Sequence, residues 1–522
     1  MSGGGNVTLT IQDGGANTAI NVPSSNVRVV IGCLLSNPAS FDSSVTNPTA
    51  TVDQIISSTQ ASALVPYFTA GKTMEAAGLD CAAGAQVLVV GVPIVATGTA
   101  KAVQATVPGG STSTVTTTLD ATNGAWDDYF VRVLCTTGGT RGTAGIFFQV
   151  SLDAGRNYGP AIALGTASAY IIPRTGVQID FGAGTLVAGD YWSFQTVAPS
   201  GNTSGWNAAL SDLQASQYAL AGWGGMHLAD VVSGANATTL QSYLGGSPDG
   251  SGGLASNYVW TNLIVDVADV GAPTAWGGSG QTEAAWMTQI ENDYSATSAM
   301  RVCANAGGYN MPSAYANPAA GTPAYRRNLA WALDPRESAI PPQRLASRVS
   351  DGSLSNIVVN PSSDPNDGFV YHDERITPGL TTARFCAAKT RVGKQGFFID
   401  SPNMMAPSGS IYTLLPLRQV MDIGCFITFQ SAEEEIDEDV RLNTNGTLYN
   451  PDRLSIQSQI LGAINQFMTS VGMLSPGSTV AISSSAVVTS GTVPIVVSLQ
   501  RKGYILQETI LIGFASPTAA GG

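Results

Sequence analysis

The spacing of apolar positions changes several times along the chain, and each change marks a different kind of element. Residues 1–25 read as an extended arm in which Val7, Leu9 and Ile11 alternate with Thr8 and Thr10, the period of two that a half-buried strand requires. A short amphipathic strand at a chain end has little of its own to pair with, so it is expected to add to a neighbour's sheet. Residues 27–31 and 86–90 are unbroken apolar runs of strand length, and the Ala- and Ser-rich stretch 52–68 between them reads as helix. From about residue 103, short β runs recur at 115–119, 129–134, 146–152, 169–172, 177–181 and 191–196 between Gly-rich turns, which predicts a sandwich or barrel. Alternation of helix and strand returns at Trp206, with helices expected at 208–215, 282–294 (capped by Thr282) and 325–333, and strands at 229–232, 263–267 and 300–304. That order implies a mostly parallel sheet. Last come a strand at 396–400, a helix at 412–423, and a helix opened by Pro451-Asp452 with an apolar stripe at Ile460, Ile464, Phe467, Met468 and Val471. Strands follow at 480–484, 493–499 and 505–514, the final one alternating at Ile510, Ile512 and Phe514.

The fold class expected is mixed α/β and multidomain. An arm (1–25) leads into an α/β core (26–96 and 201–395) interrupted by an all-β domain (97–200). A C-terminal α+β domain (396–502) and a strand arm (503–522) complete the chain. Composition sharpens this picture. Of 522 residues 44% are hydrophobic and only 11% charged, with 59 Gly and 27 Pro; an average globular protein carries about 25% charged residues. The profile suits a β-rich chain with large contact surfaces better than a soluble monomer. A net charge of −13 argues against nucleic-acid binding, which needs clustered Lys and Arg. The signs are segregated: Arg301 to Lys394 holds 11 basic against 7 acidic groups, and Glu433, Glu434, Glu435, Asp437, Glu438 and Asp439 follow within seven residues. Those six carboxylates are either a solvated face or an electrostatic contact with a partner; a contiguous run lacks the alternating ligands and turning Gly of a calcium loop.

The candidate chemistry is sparse. No phosphate-binding G-x-x-x-x-G-K-[ST], nucleophile elbow or dinucleotide glycine pattern occurs, and His227 and His372 have no second His at helical spacing. His372-Asp373-Glu374-Arg375 reads as a charged surface or interface segment. Ser151-Leu152-Asp153-Ala154-Gly155 approaches the Asp-box of sialidases, a structural hairpin turn there, with a carbohydrate-binding role as the alternative. Cys33, Cys81, Cys135, Cys303, Cys386 and Cys425 lie far apart, without metal-knuckle spacing, and read as reduced core thiols. The start has neither a basic nor an apolar signal region, and the apolar stretch 82–100 is broken by Gly, Pro and Thr. Neither a secretory signal nor a membrane insertion is expected. No cofactor is implied, and no enzymatic activity.

The order of parts resembles the contractile tail sheath proteins of myovirus-type phages and related contractile injection systems. The opening match is Val27-Arg28-Val29-Val30-Ile31-Gly32, then Val65-Pro66-Tyr67-Phe68 and the strand at Gln86. The stronger match runs from Arg384 through Gly393-Lys394-Gln395-Gly396-Phe397-Phe398-Ile399 and Leu415-Pro416-Leu417-Arg418-Gln419-Val420-Met421-Asp422 to Leu448-Tyr449-Asn450-Pro451 and the closing strand after Gly503. The β domain at 97–200 looks like the variable outer insertions of sheaths. The resemblance implies a structural subunit that polymerises as stacked six-fold rings around a tail tube. Val7, Leu9, Ile11, Ile505, Ile510, Ile512 and Phe514 would be arm contacts between subunits. The tube, baseplate and tail terminator proteins would be partners, and the location would be the virion after assembly in the host cytoplasm. A virion adhesin or decoration protein with a carbohydrate-binding β domain is the other reading.

Overall fold

The computed structural model describes residues 26–246, 252–313, 324–355, 357, 368–436, 439–483, 493–504 and 506. Two compact units emerge, 1–438 and 439–522. The first opens with β1 (Val27–Cys33), β2 (Ile55–Ser58), α1 (Ala61–Phe68), α2 (Lys72–Ala82) and β3 (Gln86–Val92). The inserted strands β4 (Val115–Leu119), β5 (Phe130–Thr137), β6 (Phe147–Ser151), β7 (Ala169–Ile172), β8 (Val177–Phe181) and β9 (Tyr191–Val197) come next. Then follow α3 (Thr203–Ala215), β10 (Gly225–Val231), α4 (Gly234–Gly245), β11 (Leu263–Asp266), α5 (Glu283–Tyr294) and β12 (Val302–Asn305). The unit ends with β13 (Gly308–Pro312), β14 (Ala324–Asn328), α6 (Ala330–Ser338), β15 (Ala387–Thr390), β16 (Phe397–Ser401) and α7 (Leu415–Glu433).

The core is a six-stranded sheet in the order β12-β11-β10-β1-β3-β2. Every pair is parallel except β2 with β3. Its central strands are buried on both faces, which is why they read as unbroken apolar runs. In β1, Val29 and Ile31 face one layer and Val30 the other; Leu88 and Val90 oppose Val87 and Val89 in β3 in the same way. The first face is covered by α3, α4 and α5 through Trp206, Leu210, Leu240, Trp286 and Ile290. The second is covered by α1, α2 and α6 through Leu64, Phe68, Met74, Trp331 and Leu333. Thr282 caps α5 as expected, its side chain accepting from the N–H of Ala285.

The inserted domain has two main sheets. One contains β6-β5-β9 and the other β7-β8-β4, closing over Val131, Val133, Phe148, Ile179, Phe181, Trp192 and Phe194. In the second unit α8 (Asn450–Ile464) packs on β17 (Thr479–Ile482), which pairs antiparallel with β18 (Ile495–Ser498).

Several expectations change. The helix expected over 52–68 begins as edge strand β2, and the one over 325–333 begins as β14: each opening segment is drawn into a ladder with a neighbouring strand before its helix starts. The helix expected at 412–423 runs ten residues further, to Glu433. Helices α2 and α4 and strands β13 and β15 carry too few large apolar residues for the pattern to reveal them. In the second unit the helix passes into a π turn at Asn465–Thr469. The extra residue shifts the stripe's phase, so Met468 is buried while Val471 is turned out to solvent. The expected boundary at 395/396 falls in the turn of the β15–β16 hairpin.

Candidate functional site

In open α/β sheets, ligands bind at the carboxyl ends of strands where the strand order reverses. That point here lies between β1 and β10, beside the start of α2. This chain fills it with its own side chains. Lys72 pairs with Asp128 at 2.6 Å, and Arg327 on β14 pairs with Glu75 of α2 at 2.5 Å and with Asp127 at 2.7 Å. Asp127 and Asp128 come from the turn before β5, so the inserted domain supplies the plug. The same turn places Asn123 against Ser36 after β1, accepting from its N–H and donating to its carbonyl, both at 2.8 Å. Burial pushes the Asp127 carboxyl up to about 7 against the opposing pull of Arg327. Burial also acts on Asp128, but Lys72 and Arg327 outweigh it and hold that carboxyl below its ordinary value. Such a network is structural: opposite charges of the chain itself meet within hydrogen-bond distance and occupy the crevice.

A second ionic cluster closes the opposite, amino end of the sheet. Arg28 of β1 pairs with Asp334 of α6 inside the core. Gln419 of α7 donates to Glu337 at 3.2 Å, while Arg301 and Arg418 both grip Asp422 of α7, at 2.8 and 2.6 Å. Burial pushes Glu337 up to about 7 and Asp80, beside Asp334, well above the carboxylate range. These contacts fasten α7 to the core. They also spend part of the net-basic stretch internally: Arg301, Arg326 and Arg327 are buried and paired within the chain, and Lys389 pairs with Asp400.

The Asp-box-like turn is a buried joint. Ser151 Oγ donates to Asp153 Oδ1 at 2.7 Å and accepts from the N–H of Gly155 at 2.9 Å; Asp153 also accepts from the N–H groups of Asn157 and Ala324. With Ser151 and Asp153 1% and 2% exposed, neither can offer itself to a sugar. His372, Asp373 and Glu374 are buried as well. Of the segment expected at a surface or interface, these three residues are internal because their charges pair inside the fold, while Arg375 is exposed. His227 lies 3.4 Å from Asp266 within the core. The six cysteines are free thiols, three of them buried.

Of the acidic run, Glu433 closes α7 and is exposed, Glu434 and Glu435 are half-buried in the following turn, and Asp439 is exposed. Carboxylates at a helix C-terminus oppose its dipole. Asp437 and Glu438 lie outside the described residues, as do the arm positions Val7, Leu9, Ile11, Ile505, Ile510, Ile512 and Phe514. What the second unit does present is a two-stranded sheet. Val480 and Ile482 of β17 are buried, whereas Val496 of β18 is 62% exposed. A two-stranded sheet leaves backbone donors and acceptors along its outer edges. No sequence signal separated this ribbon from an ordinary hairpin. The crevice network was equally hidden, since Glu75, Asp127 and Arg327 are far apart in the chain.

Among the described residues no group of His, Cys, Asp and Glu is placed to hold a metal ion, and no helix is long and apolar enough to cross a membrane. No family model matches the chain, and no curated protein matches it. Solved structures align with this chain. A sheath tail protein of Desulfitobacterium hafniense aligns over 92% of this chain and 97% of its own at 9% identity, with a TM-score of 0.42. A sheath tail protein of Listeria innocua aligns over 92% and 96% at 10% identity, with a TM-score of 0.42. The helical sheath of the anti-feeding prophage in its contracted state aligns over 95% and 94% at 10% identity, again with a TM-score of 0.42.

Proposed function

We propose that this chain is the structural, non-enzymatic subunit of a contractile tail sheath. It polymerises as stacked hexameric rings around a tail tube, between baseplate and terminator, and shortens to drive the tube through a host envelope. The observation that carries this reading is the ribbon of β17 and β18. It is backed by α8 but has two strands, so its outer edges offer backbone groups to pair, and both chain ends carry period-two apolar segments suited to extending it. Val7, Leu9 and Ile11 of one neighbour and Ile510, Ile512 and Phe514 of another would add as flanking strands, giving a polymer whose subunits stay linked while they slide. The adhesin reading loses its motif, because the Asp-box-like turn is buried.

The test is negative-stain microscopy of three purified proteins: the full chain, the chain lacking residues 1–20, and the chain ending at Gly503. Tubes or stacked rings are expected from the full chain alone, and folded monomers from both truncations. A full chain that stays monomeric in every condition would overturn the sheath reading. Normal tubes from either truncation would overturn the role of that arm.

A further inference from the structure

We propose that residues 369–374 form a pH-sensitive strap: the imidazolium of His372 rivets it across the junction of the inserted β domain and the core, and the strap releases as the pH rises. This goes beyond the sheath reading and does not depend on it. The strap touches residues on both sides of that junction. Phe369 packs edge-on against Phe130 of the inserted domain, with centroids 4.2 Å apart, and stacks on Trp276. The carbonyl of Val370 accepts from Arg326 Nη2 at 2.8 Å, and the Tyr371 hydroxyl accepts from Arg156 Nη2 at 2.9 Å. The hydroxyl of Tyr309 donates to the carbonyl of His372 at 2.7 Å. Asp373 accepts from the N–H of Thr390 at 2.9 Å, and the N–H of Glu374 donates to the carbonyl of Ala388 at 3.0 Å.

His372 is the charged centre of this strap. Its Nδ1 stands 2.9 Å from Glu283 Oε1 and its Nε2 stands 2.9 Å from Glu374 Oε2, with the imidazole 1% exposed. A carboxylate can only accept, so both ring nitrogens must carry a proton to satisfy both partners. The alternative, a neutral imidazole beside a protonated acid, is disfavoured on each side. Glu374 Oε1 already accepts from the N–H groups of Gly379 and Thr381, at 2.8 and 3.1 Å. Glu283 opens α5, where the helix dipole favours a negative charge, and it accepts from Thr377 Oγ1 at 3.2 Å.

The surrounding charged and titratable groups are Glu283 and Glu291 on α5, Asp373, Glu374 and Arg375 along the strap, Tyr309 on β13, Arg326 on β14, and the Lys389–Asp400 pair on β15 and β16. The groups that bond the ring itself are anionic. Burial draws the His372 value down, but hydrogen bonds to Glu283 and Glu374 outweigh it and raise it above the ordinary histidine value. The sign follows: the rivet's contribution is complete below the unfolded value and is lost as the pH climbs through the folded one. Losing one ring proton leaves a nitrogen lone pair facing a carboxylate, and one donor between two anions, Glu374 buried and Glu283 partly so.

Two measurements on the full chain test this. In protein labelled with 15N-histidine, solid-state NMR at pH 7 should show both His372 nitrogens protonated, the signals being assigned by their loss in His372→Gln. A one-proton pattern at pH 7 would overturn the proposal. Subtilisin cleavage mapped between residues 368 and 379 should accelerate at least about tenfold between pH 7 and pH 9.5, since cleavage follows the open population. Glu283→Gln keeps an acceptor for Nδ1 but removes one charge, so its cleavage midpoint should move down by roughly one pH unit. An unchanged midpoint in Glu283→Gln, or a wild-type rate flat with pH, would equally overturn it.

Discussion

Replacing Arg327 with Leu should be among the most damaging single changes in the core, and the damage should be reversible by further substitution. Arg327 is 3% exposed and supplies the cation shared by Glu75 and Asp127, both 0% exposed. Removing one partner of a buried ion pair costs about 3–5 kcal/mol, because the remaining charge keeps its desolvation penalty and loses its compensation. Replacing the whole set by neutral groups of similar volume is often close to neutral. Arg327→Leu alone is therefore expected to lose about 3–5 kcal/mol, while Glu75→Gln, Asp127→Asn and Arg327→Leu together should recover most of it. The single variant should also become pH-dependent. Asp127 already sits near 7 with its cation present; without it the folded-state value rises further. A carboxyl raised in the folded state contributes stability that is lost as the pH rises, so the defect should be smaller at pH 5.5 than at pH 8. Urea unfolding followed by near-ultraviolet circular dichroism at the two pH values provides the assay, with Trp126 and Trp331 near the network as probes. A loss below about 1 kcal/mol, or a triple variant no better than the single one, would refute the reasoning. The same network governs removal of the inserted domain: replacing 97–200 with a Gly-Ser linker also strips Asp127 and Asp128 from Arg327 and Lys72. A core that folds after that excision should need both cations neutralised.

Two further outcomes are expected. Glu337→Gln keeps an acceptor for Gln419 and removes a buried charge whose folded-state value is about 7; its melting temperature should match wild type near pH 4.5 and exceed it increasingly up to pH 7, by about 3 kcal/mol in stability at the plateau, and equal melting at pH 8 would contradict this. Neutralising Glu433, Glu434, Glu435 and Asp437 to Gln or Asn should change the salt dependence of assembly, measured by light scattering across an ionic-strength series, since charges gathered at one contact are screened together; an identical salt curve would mean a solvated face.

Elements whose signal is local can be read directly along the chain. β1 and β3 were legible because strands buried on both faces are continuously apolar, α5 because Thr282 caps a periodic stretch, and the strands between 115 and 197 because short β runs recur between Gly-rich turns. That charge is scarce and unevenly spread is legible there too. Where that charge goes is set by the packed fold. Arg301, Arg326 and Arg327 look in sequence like a basic surface for a partner; in the fold they are neutralised by Asp422, Asp269, Glu75 and Asp127, most of them far along the chain. His372-Asp373-Glu374 likewise reads as a charged surface or interface segment and is internal, because Glu283 of α5 meets its ring and backbone N–H groups, those of Gly379, Thr381 and Thr390 among them, meet its carboxylates. The physical reason is the same in each case. Burying an apolar side chain depends on the pattern of its own segment, which the sequence displays. Burying a charge depends on a partner arriving from elsewhere in the chain, and only the packed fold brings the two together.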